Sequence, residues 1–132
     1  MWVKTDIMTL PIEERLTYDE SENLFFINFE GHSVKSSKEI QHIEEEVTKI
    51  LSPLGKKVYA IVNYDNFTIL PELVDEYTEM VKHIVDKFYT GVTRYTTSTF
   101  LRAKLGDALK KRDVAPYLFE SSQEARRALG KD

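Results

Sequence analysis

The chain has 132 residues, 42% apolar, 30% charged and 11% aromatic, the composition of one globular domain rather than of a disordered or fibrous segment. A formal net charge of -4 and a pI near 5.4 argue against nucleic acid as a default partner, and no apolar run approaches the ~18 residues of a membrane span. The absence of cysteine excludes a disulfide framework, a thiolate metal site and a cysteine nucleophile. With no basic and apolar leader at the N-terminus, the expected compartment is the cytoplasm.

Residues 1–13 (MWVKTDIMTLPIE) show no clear period, and Pro11 discourages helix at Leu10. Trp2, Ile7, Met8 and Leu10 are too apolar for a disordered tail, so this segment reads either as an arm laid over the domain or as a linker remnant. Residues 14–132 read as a single domain. Leu16 and Tyr18 alternate with polar residues, Asp19 to Asn23 supply a turn, and Leu24 to Phe29 (LFFINF) suits a well-buried strand, which together make a hairpin ended by Gly31.

Ser36-x-x-Glu39 is a capping box in front of a helical period carried by Ile40, Ile43, Val47, Ile50 and Leu51. Glu44, Glu45, Glu46 and Lys49 fall on the solvated face, and Ser52-Pro53-Leu54-Gly55 stops the helix. Lys57 to Asn63 is a nearly continuous apolar run, the mark of an interior strand. After a loop from Tyr64 to Leu70, Pro71 and the acids Glu72, Asp75 and Glu76 open a second helix with the strongest apolar stripe in the chain, closed by Gly91. Val92 to Thr96 reads as a strand, and Thr97 or Ser98 caps a third helix carrying Phe100, Leu101, Leu105, Ala108 and Leu109. Val114 to Phe119 is a last strand, made an edge or terminal one by Pro116, and Ser121-x-x-Glu124 opens a closing helix to Leu129. The order β-β-α-β-α-β-α-β-α predicts an α/β fold with a mixed, largely parallel sheet and helices packed against it.

Chemistry is sparse. Of the three histidines, His42 and His83 lie off the apolar stripes of their helices, with no partner at a metal-site spacing. His32 follows Gly31 in a loop, where it reads as an ordinary loop residue or a functional one. No GxSxG elbow, GxGxxG or GxxxxGK[ST] is present, and the acidic groups 44–46 and 75–79 read as solvated helix faces. Two segments stand out. Tyr64, Asp65, Asn66, Phe67 and Thr68 follow the central strand, at the sheet edge where parallel folds place their contacts, although Phe67 also suits the core. Arg94 with Thr97, Ser98 and Thr99 offers hydroxyls and a cation at a helix start, which suits either an anion or an ordinary cap.

The segment VYAIVNYDNFTILPELVDEY and the order of elements resemble a STAS (SpoIIAA-like) domain, the fold of anti-sigma-factor antagonists, over about residues 14–129. More closely, LPIEERLTYD, LFFINFEG, VNYDNF and TRYTTSTFLRAKLG are similar to a domain at the C-terminal end of some bacterial acyl-CoA:acetate/3-ketoacid CoA-transferases. The first resemblance implies a non-catalytic domain that binds partner proteins. The hydroxyl that some of its members phosphorylate does not carry over, because Ile69, Leu70, Pro71 and Glu72 hold that place and Thr68 is displaced from it. The second implies an accessory module of acyl-CoA metabolism without the catalytic glutamate of the enzyme.

The expectation is therefore a non-enzymatic interaction or regulatory domain, without a cofactor or metal, whose partner is a protein such as the CoA-transferase catalytic domains. Tyr64 to Thr68 form its expected contact loop. A small-molecule domain for an acyl or anionic ligand is the alternative, resting on Arg94 and the hydroxyls of Thr97, Ser98 and Thr99. An apolar face of the second helix wider than the sheet covers would point to a homodimer.

Overall fold

A computed structural model describes residues 10–114, 118–120 and 123–124. In chain order the first elements are β1 (Leu16–Asp19), β2 (Leu24–Asn28), β3 (Ser33–Val34), α1 (Ser37–Leu51) and β4 (Val58–Asn63). They are followed by β5 (Thr68–Ile69), α2 (Val74–Phe88), β6 (Tyr89–Tyr95), α3 (Thr99–Lys110) and β7 (Leu118–Phe119). The main sheet has the order β1-β2-β4-β6-β7, with β1 antiparallel to β2 and the other neighbours parallel. The chain is thus α/β with a mixed, mostly parallel sheet. Because the sheet grows in one direction from β2 to β7, right-handed crossovers put α1, α2 and α3 on the same face. The core lies between that face and the helices, where Phe25, Ile27, Ala60, Val62 and Val92 meet Ile43 and Val47 of α1 and Tyr77, Met80 and Ile84 of α2.

Local chemistry explains most boundaries. Asp19 Oδ1 accepts the N–H groups of Ser21 and Glu22 and holds the hairpin turn, which Asn23 closes at φ +54°. Ser36 Oγ accepts the Glu39 N–H at 3.3 Å, and Glu39 Oε2 reaches back to the Lys35 N–H at 2.6 Å, one residue beyond a standard capping box. Pro53 and Gly55, the latter at φ +65°, end the helical segment.

Within the expected arm, Ile12 is buried in a 3-10 turn (Ile12–Arg15) against the domain, and residues 1–9 lie outside the described residues. The structure corrects several other expectations. Glu46 is buried rather than solvated, its carboxylate 2.8 Å from Lys49 Nζ. The second helix ends at Phe88, and Gly91 lies inside β6 instead of closing that helix. A Cβ at Gly91 would stand 2.8 Å from Cε2 of Tyr59, whose ring crosses β6 there and whose hydroxyl bonds to Thr93 Oγ1. Strands β3 and β5, absent from the expected order, form a two-stranded parallel sheet where two loops meet, joined by the Ser33 and Thr68 hydroxyls at 2.7 Å. Residues 115–117 of the last expected strand, and most of the closing helix, lie outside the described residues.

Candidate functional site

The carboxyl ends of β2, β4 and β6 come together at one edge of the sheet. There Asn63 Oδ1 accepts the Asp65 N–H at 2.8 Å, Tyr64 O accepts the Phe67 N–H at 3.1 Å, and Asn66 adopts φ +55°. This tight turn sends Tyr64 and Phe67 inward and leaves Asn66 and Thr68 exposed. Phe67, 4% exposed, packs edge-on to Tyr64 with centroids 4.9 Å apart, and lies 5.6 Å from Phe29 and 5.7 Å from Tyr77. Burial therefore removes Tyr64 and Phe67 from the expected contact surface. They are the floor beneath it.

Asp65 ties the two candidate segments together. Its backbone O accepts from the Gly31 N–H at 2.9 Å, and its carboxylate accepts from the Thr97 N–H at 2.7 Å. Of the expected anion site, however, only the hydroxyls lie at this edge. Arg94 is 1% exposed and lines an interior void with Tyr64, Tyr77 and Tyr89 beneath the helices. Burial raises the pKa of all three phenols, and the guanidinium partly offsets that rise. Around the helix start, Ser98 Oγ caps α3 by accepting the Leu101 N–H at 3.1 Å, and Thr96 Oγ1 accepts the Ser98 N–H at 3.2 Å. Arg102 donates to Thr96 O and Thr99 Oγ1, so the hydroxyl cluster builds a helix N-terminus. The void lined by Arg94 is only about 20 Å³, which leaves no room for an enclosed acyl ligand.

His32 stacks on Phe29 at 5.8 Å, and its backbone O accepts the Thr68 N–H. Burial first, and Arg15 second, lower its pKa below 6.5, against an opposing pull from Glu39. The folded protein thus favours the neutral His32 ring relative to the unfolded chain, which takes up a proton as pH falls through 6.5. Stability is expected to fall as pH drops below 6.5, and to level off below the folded-state pKa. Urea midpoints measured across this window should show the slope in the wild type and lose it in His32→Gln; an unchanged slope in the variant would assign it to other groups. His42 and His83 are exposed, with His42 Nε2 2.9 Å from Glu13 and His83 Nδ1 3.9 Å from Glu44. Among the described residues, no group of three or more His, Asp or Glu side chains is placed to hold a metal ion.

Beside the turn lies a groove of about 340 Å³ that the sequence did not reveal. One wall is Ile69, Pro71 and Val74, where β5 leads into α2; the other is Ser98, the cap of α3, with Phe100, Leu101, Lys104 and Leu105; Phe67 and Thr68 complete the lining. The only exposed large hydrophobic residues among those described belong to this region: Phe100, 74% exposed, on the groove itself, and Leu70, 39% exposed, between its lining residues Ile69 and Pro71. Lys104 Nζ sits 5.5 Å from the Phe100 ring centroid. No described helix is long and apolar enough to cross a membrane. The sequence matches no protein-family model, and no curated protein or solved structure matches it.

Proposed function

We propose that this chain is a non-catalytic interaction domain that docks a protein partner in the groove between the start of α2 and α3. The observation that carries this reading is the exposed ring of Phe100 on an apolar groove, with exposed Leu70 next in sequence to its lining residues Ile69 and Pro71. Water-facing aromatic surface costs solubility, and its concentration at one place marks a contact site rather than random scatter. The turn from Tyr64 to Thr68 contributes by supporting the groove from below, with Asp65 anchoring the α3 start. A STAS-like reading fits the parallel β2-β4-β6 arrangement and the loop that leads from β4 into α2. The resemblance to a CoA-transferase module makes the catalytic domains of such an enzyme the partner to try first.

The test is a calorimetric titration of those catalytic domains with the wild type and with a Leu70→Ser/Phe100→Ser variant. Both side chains face water, so the variant should unfold within about 1 kcal/mol of the wild type. It should bind at least about tenfold more weakly. Equal affinity would place the interface elsewhere, and no binding by the wild type would remove this partner class.

A further inference from the structure

The five-stranded sheet has two faces, and the described helices account for one. There α1, α2 and α3 stand side by side, each in contact with the next. Because side chains alternate along a strand, the other face carries Leu24, Phe26, Tyr59, Ile61, Tyr95 and Phe119, which the register sets in adjoining rows. None of the six belongs to the core between sheet and helices. Yet Leu24 and Ile61 are only 9% and 7% exposed, and the four aromatic residues are half-buried. Side chains on a sheet stand upright, so neighbours shield one another's flanks and not their tips. The Tyr59 ring, which crosses β6 to bond Thr93, explains the burial of Thr93 but not that of Ile61.

We infer that this second face is an interaction surface whose occupant is the chain's own C-terminal segment, residues 121–132. Position, length and chemistry name that occupant. The chain leaves β7 at one edge of the sheet, and Gln123 and Glu124 are helical. Glu124 Oε2 accepts the Glu120 N–H at 2.9 Å, as Glu39 Oε2 accepts the Lys35 N–H at the start of α1. From β7 to β2 is three strand spacings, about 14 Å, and the nine residues of the closing helix expected from Ser121 to Leu129 span about 13 Å. Ala125, Ala128 and Leu129 recur at the three- and four-residue steps of one helix side. Beside them, Arg126 and Arg127 match the acids Asp19, Glu20 and Glu22 of the hairpin at the far edge of the sheet. A sheet face with six large apolar residues left to water would be an aggregation surface, and this segment closes it.

Methyl NMR with a soluble paramagnetic agent, which broadens the signals of methyl groups that water reaches, tests this directly. In the full chain Ile61 should be as protected as Ile43, which α1 buries against the helix-covered face. In full-length Leu129→Asp, and in a chain truncated after Glu120, Ile61 should lose that protection while Ile43 keeps it. Arg126→Glu/Arg127→Glu should cause a partial loss at Ile61. Should the truncation unfold the domain, Ile43 is exposed as well, and the full-length Leu129→Asp variant decides. Ile61 protected in Leu129→Asp as in the wild type overturns the inference. Protection lost only on removal of residues 1–9 gives the face to the N-terminal segment, and protection lost on dilution of the wild type gives it to a second copy; either result overturns the inference too.

Discussion

Phe67→Ala is expected to lower the unfolding free energy by about 3–5 kcal/mol, the range for removing a buried aromatic ring from a core that cannot collapse around the space. In a chain of this size that loss corresponds to a fall in Tm on the order of 10–20 °C. The ring touches Tyr64, Phe29 and Tyr77, and through them β2, β4 and α2. The Tyr64 and Tyr77 hydroxyls are bonded to each other at 2.7 Å, so they hold their rings at fixed positions and limit how far the site can close. A measured loss under 1 kcal/mol in thermal or urea unfolding would show that the cluster relaxes freely. Functionally, this means that lost binding in a Phe67 variant would report unfolding as readily as a broken contact. Leu70 and Phe100 are the informative positions because they face water.

Where local chemistry and tertiary packing demand the same thing, the elements are legible in the residues. The cap at Ser36, the stop at Gly55 and the run before Asn63 each need only neighbours in sequence, and each lies at or within one or two residues of its expected place. Strands β3 and β5 have two residues each, too few to show a period, and exist because the His32 and Val34 carbonyls find the Thr68 and Leu70 N–H groups across space. Gly91 is a helix stop by local rules, yet its position is set by a tyrosine 32 residues earlier in the chain. The aromatic content of the contact loop was visible, but its direction was not, since a turn with Asn66 in the left-handed region points alternate residues to opposite sides. The groove had one faint signal. Phe100 lies about 100° around the helix from Leu101, off the stripe that continues through Leu105, Ala108 and Leu109. Grouping it with that stripe concealed an exposed aromatic residue.

Arg15→Ala is expected to cost on the order of 3 kcal/mol or more, because charge-assisted hydrogen bonds are among the strong ones and their buried acceptors are left behind. Arg15 is buried, donating from Nε to Leu10 O at 3.0 Å and from one terminal nitrogen to Asn28 O at 3.0 Å and Glu30 O at 2.9 Å. It therefore clamps the chain entering β1 to the turn that follows β2. That turn also carries the Gly31 N–H to Asp65, whose carboxylate holds the Thr97 N–H at the start of α3. A defect at Arg15 should thus reach the groove through three successive hydrogen-bond ties, without any contact to it. Hydrogen exchange is expected to quicken at Gly31 and Thr97 in Arg15→Ala beyond the change set by global stability, and Arg15→Lys, which keeps the charge but not the fork, should fall between. Exchange at Thr97 that merely follows global unfolding would show that the groove is held by α2 packing alone, and that this line of hydrogen bonds positions nothing beyond Gly31.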